Sequence, residues 1–138
     1  MKDGVLIGID AGTSVIKSIA FTTKGEQIAS AAIPNRYQTF PDGGAEQDMA
    51  RTWADTAATL KQLSEKVPNL QDRLIAISVT GQGDGMWLID KAGEPVAPAW
   101  LWLDARAAAI TEAFVASADY PAHYRRTGTG VNACQMSM

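Results

Sequence analysis

Asp10, Gly12, Thr13, Ser14 and Lys17 stand close together near the start of the chain, and their types suit the handling of a charged oxygen ligand. Gly12 carries no Cβ, so a ligand can approach the backbone there. The amides of such a turn, with the hydroxyls of Thr13 and Ser14 beside them, can form an anion-binding concavity. Asp10 offers carboxylate oxygens of the kind a hydrated Mg²⁺ prefers. Lys17 adds a point charge. The same residues also suit an ordinary hairpin with a hydroxyl-rich turn. No G-x-x-x-x-G-K-[ST] loop occurs in the chain. A second group lies at Gly81-Gln82-Gly83-Asp84-Gly85. The carboxylate of Asp84 could accept from neighbouring hydroxyls of a polyol, and Gln82 could bond another hydroxyl or brace the loop. A Gly-rich turn with a solvated Asp reads equally well.

The elements that must hold these residues follow from periodicity. An apolar run from Leu6 ends in Asp10, a tight turn follows over Ala11–Ser14, and a second apolar run carries Lys17 and closes at Phe21, which predicts a hairpin. Thr23–Glu26 reads as a second turn and Gln27–Pro34 as a third strand, completing an antiparallel meander. Asn35–Gly44 has loop composition. Met49, Trp53, Ala57, Leu60, Leu63 and Val67 recur at helical spacing. They predict a helix over Ala45–Val67 with Asp48 as a plausible N-cap, Trp53 as a core anchor and Pro68 as its stop. Leu74–Thr80 is a continuous β-branched run, expected as a buried strand in a sheet covered on both faces. Met86–Asp90 reads as a further strand and Lys91–Pro95 as a turn. Asp104 could cap a helix over Ala105–Ala118 with Ile110 and Phe114 on one face. Thr127–Gly130 reads as loop. This order of elements is α/β.

The totals narrow the class. A chain of 138 residues with 46% hydrophobic content is long enough for one domain with a real core. A formal net charge of −3 offers no basic surplus for a nucleic-acid backbone. The single cysteine, Cys134, fits a reducing compartment, and the first residues show no secretory leader. No apolar run reaches the roughly 18–20 residues of a membrane span. These features together predict a soluble cytoplasmic protein. Cys134 with His123, the only histidine, lacks a third group for thiol catalysis and reads as a structural thiol and a surface imidazole. Arg125-Arg126 reads as a solvated basic pair. Without C-x-x-C or a His cluster, no zinc site is expected.

Asp10-Ala11-Gly12-Thr13-Ser14-Val15-Ile16-Lys17 resembles the first phosphate motif, D-x-G-T-[ST]-x-x-[KR], of the actin/hexokinase superfamily, in the form found in FGGY carbohydrate kinases. Thr80–Gly85 resembles that family's [ST]-x-Q-x-x-G loop, with Gly83 and Asp84 where relatives carry a basic or polar pair. Leu101–Arg106 looks like its W-x-D-x-R segment. Glu46-Gln47-Asp48 with Trp53 resembles its E-[QH]-D-P…W helix entry, although Met49 replaces the proline. The segment Thr127–Ser137 starts like T-G-x-x-x-[ND]-P-[YF], but Ala133 and Cys134 stand at the proline and aromatic positions.

The resemblance implies a ribonuclease-H-like fold: a mixed sheet whose first three strands are antiparallel, flanked by helices. It also implies that residues 1–138 are an incomplete N-terminal domain, a truncated first lobe without the nucleotide-side lobe. The implied activity of the full-length enzyme is ATP-dependent phosphorylation of a small sugar or polyol such as xylulose or erythritol. ATP and Mg²⁺ are then the cofactors, held by Asp10, Gly12, Thr13, Ser14 and Lys17, with Asp10 meeting the metal through water. Gln82, Gly83, Asp84, Trp102, Asp104 and Arg106 would form part of the sugar pocket. The general base would lie downstream, so the fragment alone is expected to be inactive. A bare lobe-facing surface would favour a homodimer. A non-catalytic sugar sensor of the same superfamily is the alternative. A nucleic-acid-processing ribonuclease-H-like domain is a distant third, because Asp10 has no acidic partners on the next strands.

Overall fold

In the computed structural model, residues 3–135 are described. Met1, Lys2 and the last part of the Thr127–Ser137 segment lie outside them. The chain divides into two compact units, the first comprising residues 1–37 and 49–82, the second residues 38–48 and 83–138.

The first unit is built on a four-stranded sheet ordered β3-β2-β1-β6. Strands β1 (Val5–Ala11), β2 (Val15–Thr22) and β3 (Gln27–Pro34) form the expected antiparallel meander. Strand β6 (Leu74–Gly81) joins β1 in parallel. A parallel fourth strand beside an antiparallel trio is the arrangement expected of a ribonuclease-H-like core. Alternation along the strands puts Val5, Ile7 and Ile9 of β1 on one face with Ile16, Ser18 and Ala20 of β2, all buried. Helix α1 (Met49–Lys66) covers that face, with Leu63, Val67 and, from the short helix α2 (Leu70–Arg73), Leu70 completing the core.

Three expectations need correction here. Helix α1 begins at Met49, because Ala45–Gln47 is a strand, β5, of the second unit. Trp53 is 77% exposed and anchors nothing in the core. The buried stripe instead runs through Thr52, Thr59 and Leu63, and apolar counting passes over its two threonines. Thr59 can be buried because its hydroxyl is satisfied. Thr56 Oγ1 donates to the carbonyl of Thr52 (2.8 Å), and Thr59 Oγ1 to that of Thr56 (2.7 Å). A hydroxyl has one proton to give, so in the 2.6 Å contact between Ser18 and Thr59 it is Ser18 that donates. The third correction concerns β6, which is exposed along its length rather than covered on both faces. Its register with β1 puts Ile77 and Val79 on the helix-covered side of the sheet, beside Ile7 and Ile9. Helix α1 packs across β2 and β3, so the outermost strand lies past its flank.

The second unit holds a small antiparallel sheet ordered β4-β5-β7, with β4 at Gln38–Thr39 and β7 at Ala99–Trp100. The expected strand Met86–Asp90 is reduced to isolated bridges, Met86 to Trp100 and Ile89 to Pro95. The turn after it forms as expected: Asp90 Oδ1 accepts from the amides of Ala92 and Glu94, and Gly93 takes a φ of 84°. The predicted long helix is shorter, α3 (Ala108–Val115), with Ile110 exposed. A further helix, α4 (Tyr120–Thr127), ends at Gly128 in the left-handed conformation. His123 is half-buried with its ring edge-on to Phe114, and Cys134 is buried in a short turn over Ala133–Gln135.

Candidate functional site

In the first unit, the sheet face opposite α1 carries the chemistry. Asp10 is the last polar residue of β1 before the turn. It pairs across the strands with Lys17 on one side and Thr80 on the other. These three residues, with Gly8, Ile19, Phe21 and Ser78, line an open cavity of about 320 Å³. Asp10 and Lys17 are both exposed there. Opposite charges directly across a strand pair attract weakly, so both remain available to a third charged group.

The turn over Gly12–Ser14 is held from two directions. A Cβ on Gly12 would lie 2.9 Å from the carbonyl oxygen of Val15. Glycine is therefore needed for the turn itself to close, whatever approaches it. Asn35, buried just beyond β3, donates from Nδ2 to the carbonyl of Gly12 (2.9 Å) and from its amide to that of Ser14 (2.8 Å). Two turn carbonyls are thus occupied, and the Ser14 side chain beside them is exposed. From sequence, Asn35 reads only as the start of a loop. The signal that finds it is register: Val15 pairs with Pro34, so the next residue must lie against the turn. Thr13 Oγ1 donates to Gln82 Oε1 (3.0 Å), and the Gln82 amide reaches the carbonyl of Ala11 (3.4 Å). Of the two roles open to Gln82, bracing is the one observed. Asp10, Gly12, Thr13, Ser14, Lys17 and Gln82 are thus gathered at the β1 and β6 ends of one unit.

Gly83, Asp84, Trp102, Asp104 and Arg106 belong to the second unit. Asp104 is 5% exposed, and its oxygens are taken. Oδ2 accepts from the amide of Ala45 (2.9 Å) and from Arg106 Nη2 (2.6 Å), while Oδ1 accepts from the amide of Arg106 (3.0 Å). Arg106 continues to Glu46 Oε1 (2.9 Å), and its guanidinium lies 3.8 Å above the Trp100 ring. Burial pushes the Asp104 carboxyl up. The Arg106 side chain, the two main-chain N–H donors and the Arg106 charge outweigh it and hold the group below its ordinary 3.8. The hydrogen bond from Asp104 raises Arg106 in turn, against its own desolvation, with help from Glu46. Asp104 therefore turns inward and fixes β5 to the segment after β7. It does not act as the helix N-cap expected from its position, since α3 starts later at Ala108.

Trp102 is half exposed, and Gly83 has open space around it. Asp84 is exposed and sits in the left-handed region with φ 58°. Next to it, Gly85 has φ 77°, and a Cβ there would overlap the Trp100 carbonyl. The loop is pinned by the paired amides and carbonyls of Met86 and Trp100 (2.8 and 3.0 Å).

A divalent metal finds no protein cage among the described residues, which hold no group of three or more His, Cys, Asp or Glu side chains. The single exposed Asp10 beside a turn of amides fits the other mode, a Mg²⁺ that keeps its waters and is carried largely by phosphate. No described helix is long and apolar enough to cross a membrane.

The chain is 50% identical over 134 residues to an erythritol kinase of Brucella abortus (strain 2308), covering 97% of this chain and 26% of that protein. It is 35% identical over 117 residues to a glycerol kinase of Mycoplasma genitalium, covering 83% of this chain and 23% of that protein. The crystal structure of a xylulose kinase from Rhodospirillum rubrum superposes with a TM-score of 0.85 at 28% identity, over 94% of this chain and 27% of that one. The chain thus spans about a quarter of the length of these relatives. Residues 5–136 match the N-terminal domain that defines one group of phosphotransferases, and the chain belongs to the FGGY family of carbohydrate kinases.

Proposed function

We propose that this chain supplies the phosphate-holding turn and part of the substrate pocket of an ATP-dependent kinase acting on a short polyol, a tetritol such as erythritol. A pentulose is the second choice. The observation that carries the reading is the Gly12–Ser14 turn. Two of its carbonyls are held by Asn35, and Ser14, Asp10 and Lys17 are exposed around it. The 50% identity to an erythritol kinase, against 35% to a glycerol kinase, supports the tetritol.

MgATP, when bound, supplies the phosphoryl group and the metal charge that neutralises its oxygens. The turn amides and the Ser14 hydroxyl would hold the terminal phosphates, and Thr13, whose hydroxyl proton goes to Gln82, would fix the turn. Asp10 orients the hydrated metal, and Lys17 offsets phosphate charge. Gln82 keeps Thr13 in place. In the second unit, Asp84 accepts from substrate hydroxyls, Trp102 offers an apolar wall, and the Asp104–Arg106–Glu46 cluster fixes the backbone that carries them. Positioning and charge dominate such chemistry. The general base lies outside this chain, and the 138-residue chain alone is expected to phosphorylate no polyol. The test is ATP-dependent turnover of erythritol, glycerol and xylulose, side by side, by the protein extended to the length of its relatives. Highest kcat/KM on erythritol supports the reading; preference for xylulose or glycerol removes the tetritol, and no turnover of any of them removes the kinase.

A further inference from the structure

The turn after α4 reaches the Asp84 loop through one side chain that the family motifs do not mark. Gln135 Oε1 accepts from the amide of Asn132 (3.0 Å), and Gln135 Nε2 donates to Asp84 Oδ1 (3.2 Å). The first bond decides the second. An amide N–H can only donate, so the oxygen of the Gln135 carboxamide must face Asn132, and its NH₂ must face Asp84. Both residues of this pair lie in the second unit.

Asp84 needs such a hold. It is one of two non-glycine residues with positive φ among the described residues, the other being Asn69. A non-glycine residue in the left-handed region is less stable than in its ordinary region, and it persists where neighbours over-determine it. Gly83 on one side has open space around it, so restraint comes from Gly85, packed under the Trp100 carbonyl, and from Gln135. The bond to Gln135 uses Oδ1, and no described residue bonds Oδ2 of this exposed side chain.

We propose that Gln135 is a positioning residue for substrate: it fixes the Asp84 carboxylate so that Oδ2 meets a hydroxyl of the polyol, and it thereby sets polyol affinity. This rests on the kinase reading above. Gln135 itself touches no reacting atom.

The test is steady-state kinetics of the extended protein on erythritol with Gln135→Glu, Gln135→Leu, Asp84→Ala and the double variant Asp84→Ala/Gln135→Leu. Gln135→Glu keeps an acceptor for the Asn132 amide, removes the donor to Asp84 and sets a second carboxylate beside it, so the turn is kept while Asp84 is displaced; Gln135→Leu removes the donor without adding charge. The expected result is a KM for erythritol raised about tenfold in each single variant, the scale of one hydrogen bond to a charged group. Expected with it are an unchanged kcat, an unchanged KM for ATP, and a double variant no worse than Asp84→Ala. A merely structural Gln135 would give KM effects that add to those of Asp84→Ala, or would lower kcat and raise both KM values together. Either outcome overturns the proposal, as does wild-type KM in both Gln135 variants, while the kinase reading survives on wild-type turnover. Absence of polyol turnover in the wild type overturns both.

Discussion

Removing the Asp104 side chain should cost the second unit more than removing any other carboxylate in it. In Asp104→Ala, the amide of Ala45, itself 1% exposed, loses its acceptor. A buried donor left unsatisfied costs about 1–3 kcal/mol. Arg106 keeps Glu46 and the Trp100 face, which hold its guanidinium when Asp104 is gone. What it loses is one net hydrogen bond, about 0.5–1.5 kcal/mol. The expected total is roughly 2–4 kcal/mol. Asp104→Asn keeps an oxygen for the Ala45 amide and should cost about half as much. Urea unfolding followed by tryptophan fluorescence reads this directly, because Trp100 lies against the Arg106 guanidinium. Acid adds a second readout. The folded Asp104 carboxyl is held below its ordinary 3.8, so its contribution is complete above that pH and disappears as pH falls through the lower folded value. The wild type should therefore lose stability in acid more steeply than Asp104→Asn. An Asp104→Ala cost below about 1 kcal/mol, or equal costs for Ala and Asn, would refute the claim that the bond to the Ala45 amide carries most of the loss.

Three further outcomes are expected. Thr59→Val should destabilise by about 1–3 kcal/mol, since it strands the Ser18 hydroxyl in the core, whereas Ser18→Ala should cost less because Thr59 still donates to Thr56; chemical denaturation of the two variants ranks them. Trp53→Ala should change stability by less than about 0.5 kcal/mol in the same assay, given its 77% exposure. Val79→Lys, at a position 67% exposed on the open edge of the sheet, should reduce self-association seen by light scattering while leaving the unfolding midpoint in place.

Much of the first unit is legible in the sequence because its signals are local. The meander is written in period-two runs separated by Gly-bearing turns, and Gln27–Pro34 emerges with the bounds read from sequence. The Asp10–Lys17 group is legible for the same reason: one hairpin contains it whole. Errors arise where side-chain polarity and position disagree. Thr52 and Thr59 are buried, Thr59 with its hydroxyl satisfied by the Thr56 carbonyl and Ser18, so a stripe drawn through apolar residues alone tilts toward Trp53. Leu74–Thr80 reads as a doubly covered strand because all of its side chains are small or apolar, yet sequence does not say how far across the sheet α1 reaches. Asn35 and Gln135 are invisible for a different reason: each acts through partners brought in by tertiary pairing, and neither belongs to a recognisable motif.

Strand β1 has neighbours of opposite kinds, and this orders the folding of its unit. Its antiparallel partner follows within one tight turn, a contact that forms on the microsecond scale, about 1–10 μs for a hairpin. Its parallel partner arrives only after the meander, α1 and α2 have been threaded, with Ile7 meeting Ile77. Closing so long a loop costs entropy that no local contact returns. The meander is therefore expected to form before the helix packs on it, and the Thr13–Gln82 bond, which joins the turn to the parallel strand's end, is expected among the last contacts made.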